Sequence, residues 1–175
     1  MVRMFVASKV NDESSGGEDL PVTDRVIRFL DEIGIDVVER PLATRTFLPG
    51  IHIDHGVIVI DRAAMRYPGD LLHEAGHLAV ALPSERSLFH ETFGDDGGME
   101  MGAIAWSYAA AIHLQVPLDV LFHDGGYRGD AMWLREHFSS LRSLGVPILV
   151  WRAMTEYSLY PAMHAWTAPA PPVAP

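Results

Sequence analysis

Val26, Ile27, Leu30 and Ile33 recur at the spacing of one helical face, with Thr23 ahead of them as a candidate N-cap and Gly34 behind them as a stop. This predicts a helix over 24–33. The pattern then shortens to small β-rich runs: IDVVER at 35–40, then IHI and VIVI on either side of His55-Gly56, which reads as a hairpin. After Pro68-Gly69-Asp70 the run LLHEAGHLAVAL returns to helical spacing and ends before Pro83, with Asp70 suited to the N-cap. A polar, Gly-rich stretch, PSERSLFHETFGDDGG, separates it from MEMGAIAWSYAAAIHL, which is apolar on every face and predicts a buried helix over Met99–Leu114, ended by Pro117. A short LDVLF segment, a turn at HDGGYRG, a helix near 129–143 and a helical piece at Ile148–Thr155 follow, and no internal repeat is present. The fold class expected is α+β, a small three- to four-stranded sheet packed on a mainly helical domain.

The ends differ from the middle. Residues 1–20 become acidic and small after a short apolar patch, with Met1–Val6 a candidate edge strand, and residues 168–175 are rich in Pro and Ala. The packed domain is expected to span 21–167, between a flexible segment and a disordered tail. The chain of 175 residues, 49% hydrophobic, suits a single domain with a real core.

Chemistry concentrates in one place. His73-Glu74-Ala75-Gly76-His77 is an H-E-x-x-H motif, and the four-residue step puts both imidazoles on one helical face, about 40° apart, where one metal ion accepts both. Glu74 lies about 100° around the axis from His73, suited to meet a water on the ion rather than to ligate. The motif is embedded in an apolar segment, so its polar groups need partners, and a metal is the simplest shared one. The bland alternative is a surface helix carrying these residues by chance. The chain has no cysteine, which leaves His, Asp and Glu as ligands. Glu100 is the candidate third ligand, because it is the one formally charged residue between Gly97 and Leu118 and opens the apolar helix. Its alternative role is to complement the helix dipole. His90, Glu91, Asp95 and Asp96, in the intervening loop, are rivals. Val80 and Pro83 stand where the longer H-E-x-x-H-x-x-G-x-x-H pattern needs Gly and His, so that pattern is absent.

These residues resemble the gluzincin-type metallopeptidases, and among them the small ImmA/IrrE-like group. The likeness covers residues 36–115 and rests on HEAGH, the preceding sheet and the following helix with Glu100. Ala103 and Trp106 fit that helix's pattern, whereas Ile104 stands where the group has Asn. The resemblance implies a zincin-like active-site helix plus glutamate helix, one Zn2+ per chain, peptide-bond hydrolysis and a peptide or protein substrate. Tyr127 is a candidate donor to the oxyanion, with His113 and His123 as competitors. His52 and His55 read as surface residues on opposite faces of a strand, and Met99, Met101, Met132 and Met154 as core filler.

Charge narrows the partners. The net charge of -10, with no Lys/Arg-rich block, points away from direct nucleic-acid binding. Neither a signal-peptide core nor a membrane-length apolar run is evident, so the expectation is a cytoplasmic enzyme. Oligomeric state stays open. A non-catalytic module that keeps the scaffold to bind a protein partner is the alternative reading.

Overall fold

The computed structural model describes residues 20–94, 96–140 and 143–171. The candidate edge strand at Met1–Val6 and most of the acidic segment lie outside the described residues.

Helix α1 (Val22–Glu32) buries Val26, Phe29 and Leu30. Its N-cap position belongs to Pro21 rather than Thr23, which sits in the first turn. Pro21 already holds the extended backbone required there, and no side chain caps the end. At the other end Gly34, at φ 77°, closes a Schellman motif: its N–H donates to Asp31 O and that of Ile35 to Leu30 O, with Leu30 and Ile35 both buried.

Three strands follow: β1 (Val37–Glu39), β2 (Ile51–Asp54) and β3 (Val57–Ile60). They form a sheet in the order β1-β3-β2, with β1 parallel and β2 antiparallel to β3. His55 and Gly56, at φ 51° and 84°, make the predicted hairpin turn, both left-handed as a two-residue type I′ loop requires. A Cβ on Gly56 would also stand 2.6 Å from Arg86 O. Ile51 and Ile53 face the core, which turns His52 and Asp54 together to the other face. The outer edge of β2 is partly covered by the 87–94 loop, since Glu91 N donates to Ile53 O at 2.9 Å.

Helix α2 (Pro68–Val80) carries the H-E-x-x-H motif. It starts two residues before Asp70, with Tyr67 at the N-cap and Pro68 at the first helical position, where a missing N–H costs nothing. Asp70 is therefore inside the first turn and free for another partner. One helical turn, α3 (Pro83–Arg86), leads through the 87–94 loop to α4 (Gly97–His113), which is buried from Gly102 to Ala111. Helix α4 begins at Gly97 rather than Met99 because Asp96 caps it, its Oδ1 accepting from Gly98 N and Met99 N.

The remaining helices are α5 (Leu118–Leu121), α6 (Ala131–Ser140) and α7 (Val146–Trp151). The last begins two residues earlier than Ile148, because Pro147 suits a helix start and Gly145, at φ 72°, turns the chain into it. Met154 is fully buried and Met99 and Met101 partly so, but Met132 is 73% exposed on α6 and fills no core. The N–H of Ala168 donates to Ala79 O, so packing reaches at least that residue.

The coarse class is thus α+β, with a three-stranded sheet and seven helices among the described residues. Its most extensive packing is α2 on α4, where Gly76 lies against the backbone of Ala103 and Gly102 against Ile148 and Val80. Among the described residues no helix is long and apolar enough to cross a membrane.

Candidate metal centre

The α2–α4 contact brings three side chains to one point. His73 Nε2 and His77 Nε2 lie 3.3 Å apart. Glu100 reaches them from α4, with Oε1 3.4 Å from His73 Nε2 and Oε2 3.2 Å from His77 Nε2. An ion bound tetrahedrally at ~2.05 Å would hold its donors ~3.3–3.4 Å from one another. The observed separations have that size, so the donor set fits a small ion of zinc's preferences. Two imidazoles and a carboxylate also match the chemistry of a hydrolytic zinc site that keeps a position for water.

Burial tunes these groups. His73 is pulled down to about 4, first by burial and then by His77, against the attraction of Glu100. It is neutral near pH 7, as a ligand must be. Glu100 sits below its ordinary value, chiefly through its hydrogen bond with His77. Glu74, on the adjacent side of α2, is partly buried and is pushed up to about 8 by that burial, then by Asp70 and Glu100. His77 also stacks on Phe93 at 4.4 Å between ring centroids and 10° between planes, so the 87–94 loop forms one wall of the site.

Tyr127 comes to the same place from a segment 50 residues further along. Its ring meets that of His73 edge-on at 5.3 Å, and the charges of Asp70, Glu100 and Glu74 all bear on its hydroxyl. Burial, with those charges, raises its pKa well above the usual value, so it remains a donor. The hydroxyl is buried without a hydrogen-bond partner of ordinary geometry, although Ser107 is close enough to oppose the rise. Tyr127, Arg128 and Gly129 have φ of 52°, 53° and 96° in succession. Left-handed backbone at two non-glycine residues costs energy that the surroundings must offset, and such segments cluster at functional sites.

The other candidates are elsewhere. His113 is exposed near the far end of α4, against Phe29 and Trp166. His123 is buried, stacks on Tyr67 at 3.8 Å, and pairs with Asp70 Oδ1 through Nε2 at 2.8 Å. Asp96 is a helix cap, His90 lies beside Asp54, Glu91 is exposed and Asp95 is outside the described residues. Asp70 is the residue that sequence reasoning misplaced. It lies one turn before His73 and Glu74, a spacing that marks a shared helical face, but its partner His123 was not visible at that range. Nothing in the sequence pointed to Phe93.

Comparison with family models, with curated proteins and with solved structures gave no match.

Proposed function

We propose that this chain is a zinc-dependent metallopeptidase, with His73, His77 and Glu100 holding the ion and Glu74 as general base. The observation that carries the proposal is the spacing of the three donors, 3.2–3.4 Å from one another, beside a partly buried carboxylate on the same helix as the two histidines. A bound zinc ion supplies Lewis acidity, brings the pKa of a water down to about 7 and favours ionised Glu74.

Glu74 Oε takes the proton from the water as its oxygen attacks the scissile carbonyl carbon. The same carboxyl then delivers that proton to the departing amine nitrogen as the C–N bond breaks. Tyr127, held protonated by burial and with its ring against His73, would donate its hydroxyl to the carbonyl oxygen as that oxygen gains charge. His123, bonded through Nε2 to Asp70, braces the start of α2. Phe93 and the buried faces of α2 and α4 keep bulk water from the imidazoles.

Elemental analysis of purified wild type, Glu100→Ala and Glu74→Gln, followed by a screen against a mixed peptide library, tests the reading. We expect near-stoichiometric zinc in wild type and Glu74→Gln, zinc lost or greatly weakened in Glu100→Ala, and turnover by wild type alone. Full activity in Glu74→Gln would remove the general-base assignment. Fully metallated wild type that cleaves no peptide would favour a non-catalytic module.

A further inference from the structure

A second cluster of nitrogen and oxygen donors sits at the β2 edge of the sheet, where the 87–94 loop crosses it. Asp54 and His52 share the outward face of β2, because Ile51 and Ile53 take the inward one. His55 does not continue that alternation. The strand ends at Asp54, and the left-handed turn at His55 brings its Nδ1 to 2.8 Å from Asp54 Oδ1. The 87–94 loop supplies His90, whose Nδ1 is 3.4 Å from the same Oδ1. The His90 ring lies 5.8 Å from that of His52 and 4.5 Å from that of His55.

We propose that His52, Asp54 and His90 form a second transition-metal site, with His55 as a further imidazole at its rim. Donor atoms of the three residues lie within 4.8 Å of one another. That is wider than the edge of a zinc tetrahedron, but these side chains are only partly buried or exposed, and rotation about χ1 and χ2 closes the gap. Three imidazoles and one carboxylate select a borderline ion such as Zn2+, Ni2+ or Cu2+ over Ca2+ or Mg2+, which need oxygen ligands. Arg40 is the nearby cation that opposes binding. Its guanidinium is 3.6 Å from Asp54 Oδ2, on the oxygen away from the histidines, and leaves Oδ1 for the ion.

The site would tie two parts of the chain together. His52 and Asp54 belong to the sheet, whereas His90 belongs to the loop whose Phe93 stacks on His77. An ion between them fixes that loop against β2. This site stands or falls independently of the peptidase reading.

The test titrates Zn2+ alone into metal-free full-length wild type, the His52→Ala/His90→Ala pair, Asp54→Asn, and the His73→Ala/His77→Ala pair. Wild type should take two equivalents and the His52/His90 pair one. Asp54→Asn should bind the second equivalent more weakly. The His73/His77 pair should keep one equivalent, and hydrogen exchange at the amides of residues 87–94 should slow as it binds. If that variant does not fold, wild type already holding one equivalent is used, and the second must shift the imidazole NMR signals of His52 and His90. A His52/His90 variant that binds as many equivalents as wild type, or unshifted His52 and His90 signals, overturns the site. A single wild-type equivalent that disappears only in the His52/His90 variant keeps it and defeats the zinc centre proposed for α2 and α4.

Discussion

Gly76, the small residue of HEAGH, sets how closely the two helices that carry the proposed ligands approach, and Gly76→Ala tests this directly. A Cβ at Gly76 would lie 2.7 Å from Ala103 O, 3.2 Å from its Cα and 3.3 Å from its C. Ordinary contact begins at 3.4 Å, so the two backbones must separate by about 0.7 Å along this line. None of the three partner atoms is in a side chain that can swing aside. Ala gains up to ~1 kcal/mol over Gly as a helix former, whereas overpacking costs ~1–3 kcal/mol, here at the upper end. The net expectation is a loss of ~1–2 kcal/mol in the metal-free protein, read by urea denaturation.

The same shift acts on the proposed metal centre, because Glu100 lies one turn from Ala103 on α4 while His73 and His77 share α2 with Gly76. Donors now 3.2–3.4 Å apart would open towards 4 Å, beyond the ±0.2 Å or so that a zinc bond tolerates. Zinc affinity, measured by competition with a chromophoric chelator, should fall roughly 10- to 100-fold, as when groups that position ligands are removed. Gly97→Ala is the control, since a Cβ there meets nothing within 4 Å. If Gly76→Ala held zinc within about threefold of wild type and unfolded within ~0.5 kcal/mol of it, the close approach would not be what positions Glu100.

Other outcomes follow from single contacts. Asp96→Ala should cost ~1 kcal/mol by denaturation and leave zinc content unchanged, because Asp96 caps α4; lost zinc would make it a ligand instead. Tyr127→Phe should leave thermal stability nearly unchanged, since Ser107 meets the buried hydroxyl only at poor geometry, while lowering kcat roughly 100-fold or more on any substrate found. A marked drop in stability would show the hydroxyl to be structural. In metal-free protein Glu74's contribution to stability should fall as pH rises from about 4.5 to about 8, over which the folded carboxyl keeps a proton that the unfolded chain has released. His73, held down to about 4, gives the opposite slope up to about 6.5, so the net loss is expected between about pH 6.5 and 8. Glu74→Gln should remove this, so the variant should exceed wild type by a few kcal/mol at pH 8 and match it near pH 4.5, measured with a chelator present. Equal stability of the two at pH 8 would contradict the burial of that carboxyl.

What the sequence disclosed follows the range of each interaction. His73 and His77 are four residues apart on one helix, so their convergence is a property of helical geometry alone. The His55-Gly56 turn and the Gly34 stop are likewise set within a few residues, by backbone angles that those positions reach at low cost. Helix starts were less legible. At α1 and α2 a proline just before or at the first helical position outweighed Thr23 and Asp70, which side-chain capping rules favour. At α4 the cap is Asp96, which the sequence alone offers equally as a ligand because its loop carries no other clue.

Contacts across the chain needed the fold. Glu100 was accessible because an apolar helix isolates it, so its charge demanded a partner before that partner's position was known. Asp70 and His123 are 53 residues apart, and neither carries such an anomaly in its own segment. The clearest case is His52 and His55. Strand periodicity places them on opposite faces, yet periodicity ends where the strand ends, and one left-handed residue at the turn brings His55 to the side of Asp54. His90 reaches them only because the 87–94 loop runs along the edge of β2, through the bonds from Glu91 to Ile53 and from Gly56 to Phe89. An edge strand has free backbone groups that attract whatever segment passes. Here that segment carries a histidine to one cluster and Phe93 to the other, so the covering of a sheet edge is what connects them physically.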